Sequence, residues 1–118
     1  MNIPLKDLEA KFIRRTVKTR KGESQVIHVT VDTLAEADGI CFLCPKCFTE
    51  NGGNVGTHAI ICWFVGKVPD DADPKPGRWV PQGTGLDDLT FVGPNAASVL
   101  LLGGCAWHGF IRNGSAVE

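Results

Sequence analysis

This sequence has no run near the roughly 20 apolar residues that a membrane-crossing helix requires. Its longest apolar runs, 59–65 and 96–102, are strand-sized, and Ser98 interrupts the second, so no membrane partner is expected. Residues 1–20 mix acidic, basic and isolated apolar side chains and do not read as a secretory leader. A strong net charge is also missing, with 12 Lys and Arg against 13 Asp and Glu. A chain of 118 residues leaves too little for a two-domain enzyme, and it contains no internal repeat. With 43% hydrophobic and 21% charged residues it lies far from the composition of disordered chains. The expected location is the cytoplasm, a reducing compartment in which 5 cysteines, an odd number, do not make a disulfide framework.

What the chain does have is 14 Gly, 7 Pro and those cysteines, a composition of short elements and many turns. Pro4, followed by Leu5, Leu8, Phe12 and Ile13 at spacings of three and four, predicts a short helix over 4–14. The β-branched residues of 16–20 and 25–31, on either side of Lys21-Gly22-Glu23-Ser24, predict a hairpin. A helical turn or loop is expected over 32–38 and a strand over 39–43, with a second, very apolar strand over 58–65 placed centrally in a sheet. Residues 50–57 are Asn/Gly-rich and 69–77 Pro/Asp-rich, and both are expected to be loops. Further strand-sized runs follow at 78–81, 89–92 and 98–102, and Asn113-Gly114 suits a type I′ turn. The expected fold is α+β, mainly β: one domain over 1–118, an antiparallel sheet of short strands with one N-terminal helix. Within it, 1–31 is a basic helix plus hairpin and 39–118 a metal-binding β region.

The chemistry concentrates in two short motifs. Cys44-Pro45-Lys46-Cys47 is a CxxC and Cys105-Ala106-Trp107-His108 a CxxH preceded by Gly103-Gly104. Two intervening residues let the chain turn so that both ligands point at one ion, and the glycines free the backbone to do so. Cys44, Cys47, Cys105 and His108 together form a Cys3His set, which zinc accepts as a closed tetrahedron. So soft a shell disfavours calcium and magnesium, which take oxygen. One structural Zn2+ is therefore the expected cofactor, clamping two knuckles far apart in the chain. A thioredoxin-like redox CxxC would sit at a helix N-terminus without a distant CxxH. His58 is a further candidate, as a direct ligand or as a partner of one. Cys41 could substitute for Cys105, although on a strand Cys41 and Cys44 point to opposite faces. Cys62 reads as a small buried hydrophobe and His28 as structural.

No catalytic constellation stands out. Asp87 and Asp88 are adjacent and follow Gly83-Thr84-Gly85 in an evident turn, which lacks the length and the Lys-Ser/Thr ending of a phosphate loop. No small-molecule substrate is expected; the alternative is a metalloenzyme in which the ion keeps an open position and His58 serves as base. A partner surface has two sources. Residues 1–31 carry seven Lys/Arg and three acids, so Lys18, Arg20 and Lys21 could meet phosphates, although a solvated basic segment explains them more simply, since no aromatic residues are interleaved with them. Trp107, between two proposed ligands, either packs on the core or offers an aromatic face, and Trp63, Phe64, Trp79 and Phe110 lie in the same half of the chain. The expected partner is a protein or a nucleic acid.

Two resemblances bear on these motifs. Cys105-Ala106-Trp107-His108-Gly109-Phe110 resembles the second ligand loop of Rieske iron–sulfur domains, which implies an Fe–S cluster as the secondary cofactor reading. The family's first loop is a CxH, whereas this chain has Cys44-Pro45-Lys46-Cys47, so one ligand and the spacing depart from it. Residues 42–118 as a whole look like the small zinc-site proteins carried by bacteriophages and prophages, on the strength of Cys44, Cys47, Cys105, His108 and Asn113-Gly114. That likeness implies a zinc-stabilised, non-catalytic interaction module working in the cytoplasm of a bacterial host, and it leaves the basic first third of the chain uncovered.

Overall fold

A computed structural model describes residues 1–93, 98–100 and 105–118. The architecture is mainly β and antiparallel, with one α-helix among the described residues. Strands β1 (Asn2–Pro4), β2 (Lys11–Arg20), β3 (Glu23–Val31) and β4 (Gly39–Leu43) precede the helix α1 (Pro45–Asn51). After it come β5 (Ala59–Trp63), β6 (Val80–Gln82), β7 (Thr90–Val92), β8 (Val99–Leu100), β9 (His108–Arg112) and β10 (Ser115–Val117). They form a sheet of order β3-β2-β4-β5, a second of order β1-β10-β9-β8, and the pair β6-β7. Among the described residues no helix is long and apolar enough to cross a membrane.

The N-terminal helix expected over 4–14 is not formed. In its place are β1, a 3-10 turn over Leu5–Leu8 and the start of β2. The helical spacing of Leu5 and Leu8 is real but serves a single 3-10 turn, in which residues three apart share a side; both are fully buried. Glu9, with φ 53°, turns left-handed and ends it, so Phe12 and Ile13 enter the core from a strand. The hairpin expected around 21–24 is present and longer than expected. Lys21 (φ 52°) and Gly22 (φ 79°) make its two-residue turn, and β2 and β3 pair from Phe12↔Val31 to Arg20↔Glu23.

Strand β4 lies between β2 and β5, whereas β5 is at the sheet edge rather than central. Its apolar character comes from packing: Ile60, Cys62 and Trp63 are buried, and Trp63 donates its indole N–H to the Asp73 carbonyl at 2.8 Å. That carbonyl belongs to the 69–77 loop, which Arg78 closes by donating to the Pro69, Ala72, Pro74 and Gly77 carbonyls at 2.8–3.0 Å. The main core joins Leu5 and Leu8 to Ile40, Phe42, Ile60, Leu89, Phe91, Trp107 and Ile111. Asn113 (φ 48°) and Gly114 (φ 76°) form the expected turn between β9 and β10, where Gly114 donates its amide to Leu89 and accepts from Leu5. Any side chain at Gly114 would collide with the backbone of Leu86 and Asp87. Of the expected run 98–102, Val99 and Leu100 form β8; residues 101–102, like Gly103 and Gly104, lie outside the described residues.

Candidate metal centre

Alternation along β4 sets the site's first ligand. Ile40, Phe42 and Cys44 share the buried face, so the strand delivers the Cys44 thiol at the end of its core side. Pro45 then starts α1 at a position where its missing N–H costs nothing, and Cys47 falls in the helix's first turn. The CxxC thus stands at a helix start, a placement that by itself suits redox chemistry too. Its neighbours add to it: Cys44, Cys47, His58 and Cys105 place their ligand atoms within 4.8 Å of one another, a group that could hold a metal ion.

His58 arrives by register. The β4–β5 ladder runs from Gly39↔Trp63 to Leu43↔Ala59, and the Cys44 amide continues it by donating to the His58 carbonyl at 2.8 Å. Cys105 comes from the far end of the chain. Its Sγ lies 3.1 Å from the Cys44 Sγ and 3.3 Å from the His58 Nε2. Ala106, with φ 52°, turns the backbone immediately after it, and the Lys46 ammonium donates to the Cys105 carbonyl at 2.9 Å, tying the two loops together.

The three thiols are electrostatically unequal. Burial pushes Cys44 up to about 12, against the pull of the Cys47 and Lys46 amides; hydrogen bonding to Cys105 adds to the rise. Cys47 is also raised, by desolvation first and then by Cys105. For Cys105, desolvation is outweighed by hydrogen bonds from Cys44 and His58 and by the Trp107 amide, which hold it down at about 6. One thiolate supported by two thiols and an imidazole is a donor set that a soft divalent cation fits, since the ion replaces the shared protons.

The structure departs from the expected ligands at one position: His58 stands with the three cysteines and His108 does not. The side chains of Trp107, just before β9, and of Ile111 on it point inward. His108, Phe110 and Arg112 alternate to the other side, where the guanidinium of Arg112 lies 4.3 Å from the Phe110 ring. With Trp107 claimed by the core, its neighbour must face away from the cluster. Trp107 is 1% exposed and packs edge-on against Phe42, so it is not a partner contact, and Trp63 and Phe64 are equally buried. Cys41 is half-buried outside the cluster; burial, tempered by Lys11, raises its thiol. Cys62 is fully buried, as expected, and His28 is exposed on β3 and sits edge-on to Trp63 at 5.2 Å. Lys46, whose role depends on contact with a residue 59 positions away, carries no signal in the sequence. Lys18, Arg20 and Lys21 are exposed at the turn end of the β2–β3 hairpin.

Asp88 explains the acidic pair. Its Oδ1 accepts from the Thr84 and Gly85 amides at 2.8 and 2.9 Å and its Oδ2 from the Thr84 hydroxyl at 2.9 Å, closing a loop rather than addressing a substrate. Comparison of the chain with protein-family models, curated proteins and solved structures finds no match.

Proposed function

We propose that this chain is a zinc-stabilised, non-catalytic binding module. The carrying observation is that Cys44, Cys47, His58 and Cys105 supply four soft donors from three separate segments, enough to close a tetrahedral shell with no position left for water or substrate. Three of the residues behind the likeness to phage-borne zinc-site proteins belong to this set, and we extend the proposal to a phage or prophage origin on that basis. The ion's work is folding: zinc contributes about 10–16 kcal/mol in small zinc-dependent peptides, comparable with the whole stability of an ordinary domain. It would join the end of β4, the start of β5 and the segment before β9. Outside the clamped body, much of the β2–β3 hairpin contributes nothing to the core, which leaves it available for a partner.

Metal analysis of the purified chain combined with an absorption spectrum tests the reading. One colourless zinc per chain, retained after gel filtration, is the expected result. A visible charge-transfer band from an iron–sulfur cluster, or no bound metal under reducing conditions, would overturn it.

A further inference from the structure

Only Lys11, Phe12 and Ile13 of β2 pair with β4, so from Arg14 to the turn and back to Thr30 the two strands form a ladder with nothing but each other; the body reaches them only near the base, where the Asp38 carboxylate accepts from the Arg15 amide at 2.9 Å and Trp63 meets His28. At about 3.3 Å per residue, the stretch from Arg14 to Arg20 is a ribbon roughly 20 Å long. Its interior pairs are Thr16↔Ile27 and Val17↔Val26, β-branched residues that hold strands together without a core behind them. Val17, Val26 and Val29 remain 44–50% exposed.

Charge is segregated onto this arm. Between 14 and 30 there are five Lys/Arg and one acid, +4, while the whole chain is −1. Arg14 is occupied by Glu36, with a nitrogen 3.6 Å from its carboxylate. Among the described residues Arg15, Lys18, Arg20 and Lys21 are in no ion pair, and the remaining positions of the sequence contain no acidic residue. Register places Lys18 and Arg20 on one face of the ribbon with Gln25 and with Glu23, the segment's one acid, opposite Arg20; Arg15 is on the other face with His28, and Lys21 is at the tip. Cations thus occupy both faces and the end of a narrow two-stranded element.

We infer that the β2–β3 ribbon is a duplex-DNA-binding arm that enters the major groove and meets its phosphates through Arg15, Lys18, Arg20 and Lys21. The proposal rests on the binding-module reading above and names its partner. The B-form major groove, about 12 Å wide, admits a two-stranded ribbon, whereas the deep, narrow major groove of A-form RNA does not. Opposite charge on the two surfaces selects a polyanion over a second copy of this chain, whose ribbon would carry the same +4.

The test is fluorescence anisotropy of a labelled 20-base-pair DNA duplex titrated with the zinc-loaded full chain at several salt concentrations. Each phosphate neutralised contributes a slope of about −0.9 in log K against log salt, so four cations predict a slope near −3.6. The triple variant Lys18→Gln, Arg20→Gln, Lys21→Gln is expected to flatten it by about 2.7 and to weaken binding at least 10-fold at low salt. The variant Lys6→Gln, Lys67→Gln, Lys75→Gln makes the same change in net charge on the body and is expected to leave the slope in place. Binding without salt dependence, equal losses in both variants, or tighter binding of duplex RNA would each overturn the proposal. So would self-association along β3 without DNA binding, measured by sedimentation. Zinc content is read on the same samples: a full complement of zinc with no DNA binding sinks this inference alone, whereas absent zinc sinks the module reading.

Discussion

The Cys44 amide donates to the His58 carbonyl at 2.8 Å, one pair beyond the last rung of the β4–β5 ladder. This backbone bond brings together two donors 14 residues apart and leaves the helix α1 to fill the excursion between them. The make-up of the cluster follows from it: its histidine is chosen by strand register, and Cys105 from the distant loop completes the group.

His58→Ala is accordingly expected to lose bound zinc or to weaken it by orders of magnitude, as are Cys44→Ser, Cys47→Ser and Cys105→Ser. His108→Ala is expected to keep one zinc per chain. Metal content and the thiolate charge-transfer bands of the cobalt-substituted protein measure both. Equal loss in the His58 and His108 variants would refute the assignment.

Chelation is expected to destabilise the whole body rather than one loop, because the cluster joins three segments. Even about 3 kcal/mol would lower Tm by roughly 10 °C in a domain of this size, and the loss expected here is larger. Calorimetry of the zinc-loaded and chelated protein, both kept reduced, provides the comparison; an unchanged Tm contradicts a structural role.

Gly109→Ala probes the support behind the second loop. A Cβ there would lie 2.5 Å from both the Trp107 ring and the Val117 carbonyl, and Trp107 cannot retreat because it is buried against Phe42. Overpacking of this kind costs about 1–3 kcal/mol. Denaturant unfolding should show that loss, accompanied by weaker zinc retention, since Cys105 is two residues from the displaced ring.

Asp88 gives a pH signature. Hydrogen bonds from the Gly85 and Thr84 amides and the Thr84 hydroxyl hold its carboxyl below the usual 3.8. A depressed carboxyl stabilises the fold above its unfolded value, and this contribution is lost as pH falls through the lower folded value. The Tm gap between the native chain and Asp88→Asn should therefore be full near neutrality and shrink below about pH 4. A gap independent of pH would contradict it.

What was legible in the sequence is local. Alternating β-branched residues around Lys21-Gly22 specified the hairpin, and Asn113-Gly114 the last turn, because positive φ at both turn residues is a property of those few residues themselves. The three cysteines of the cluster were legible for a similar reason: CxxC after a strand is a local device, and Cys105 lies beside a turn. The supposed N-terminal helix failed where local signals compete. Leu5 and Leu8 have a spacing that a 3-10 turn and an α-helix share, and the pull of Phe12 and Ile13 toward β4 settled the matter.

The sequence by itself thus determined a mainly β chain, a sulfur-rich Cys3His donor set and a basic segment near the start. Which histidine completes the set was decided only by tertiary structure, because it depends on the β4–β5 register and on Trp107 taking the inward side just before β9. The same holds for the basic segment. That Lys18, Arg20 and Lys21 ride on the free end of a ribbon, with Arg15 at its base, follows from how little of β2 is paired with β4, a long-range fact that no local pattern records.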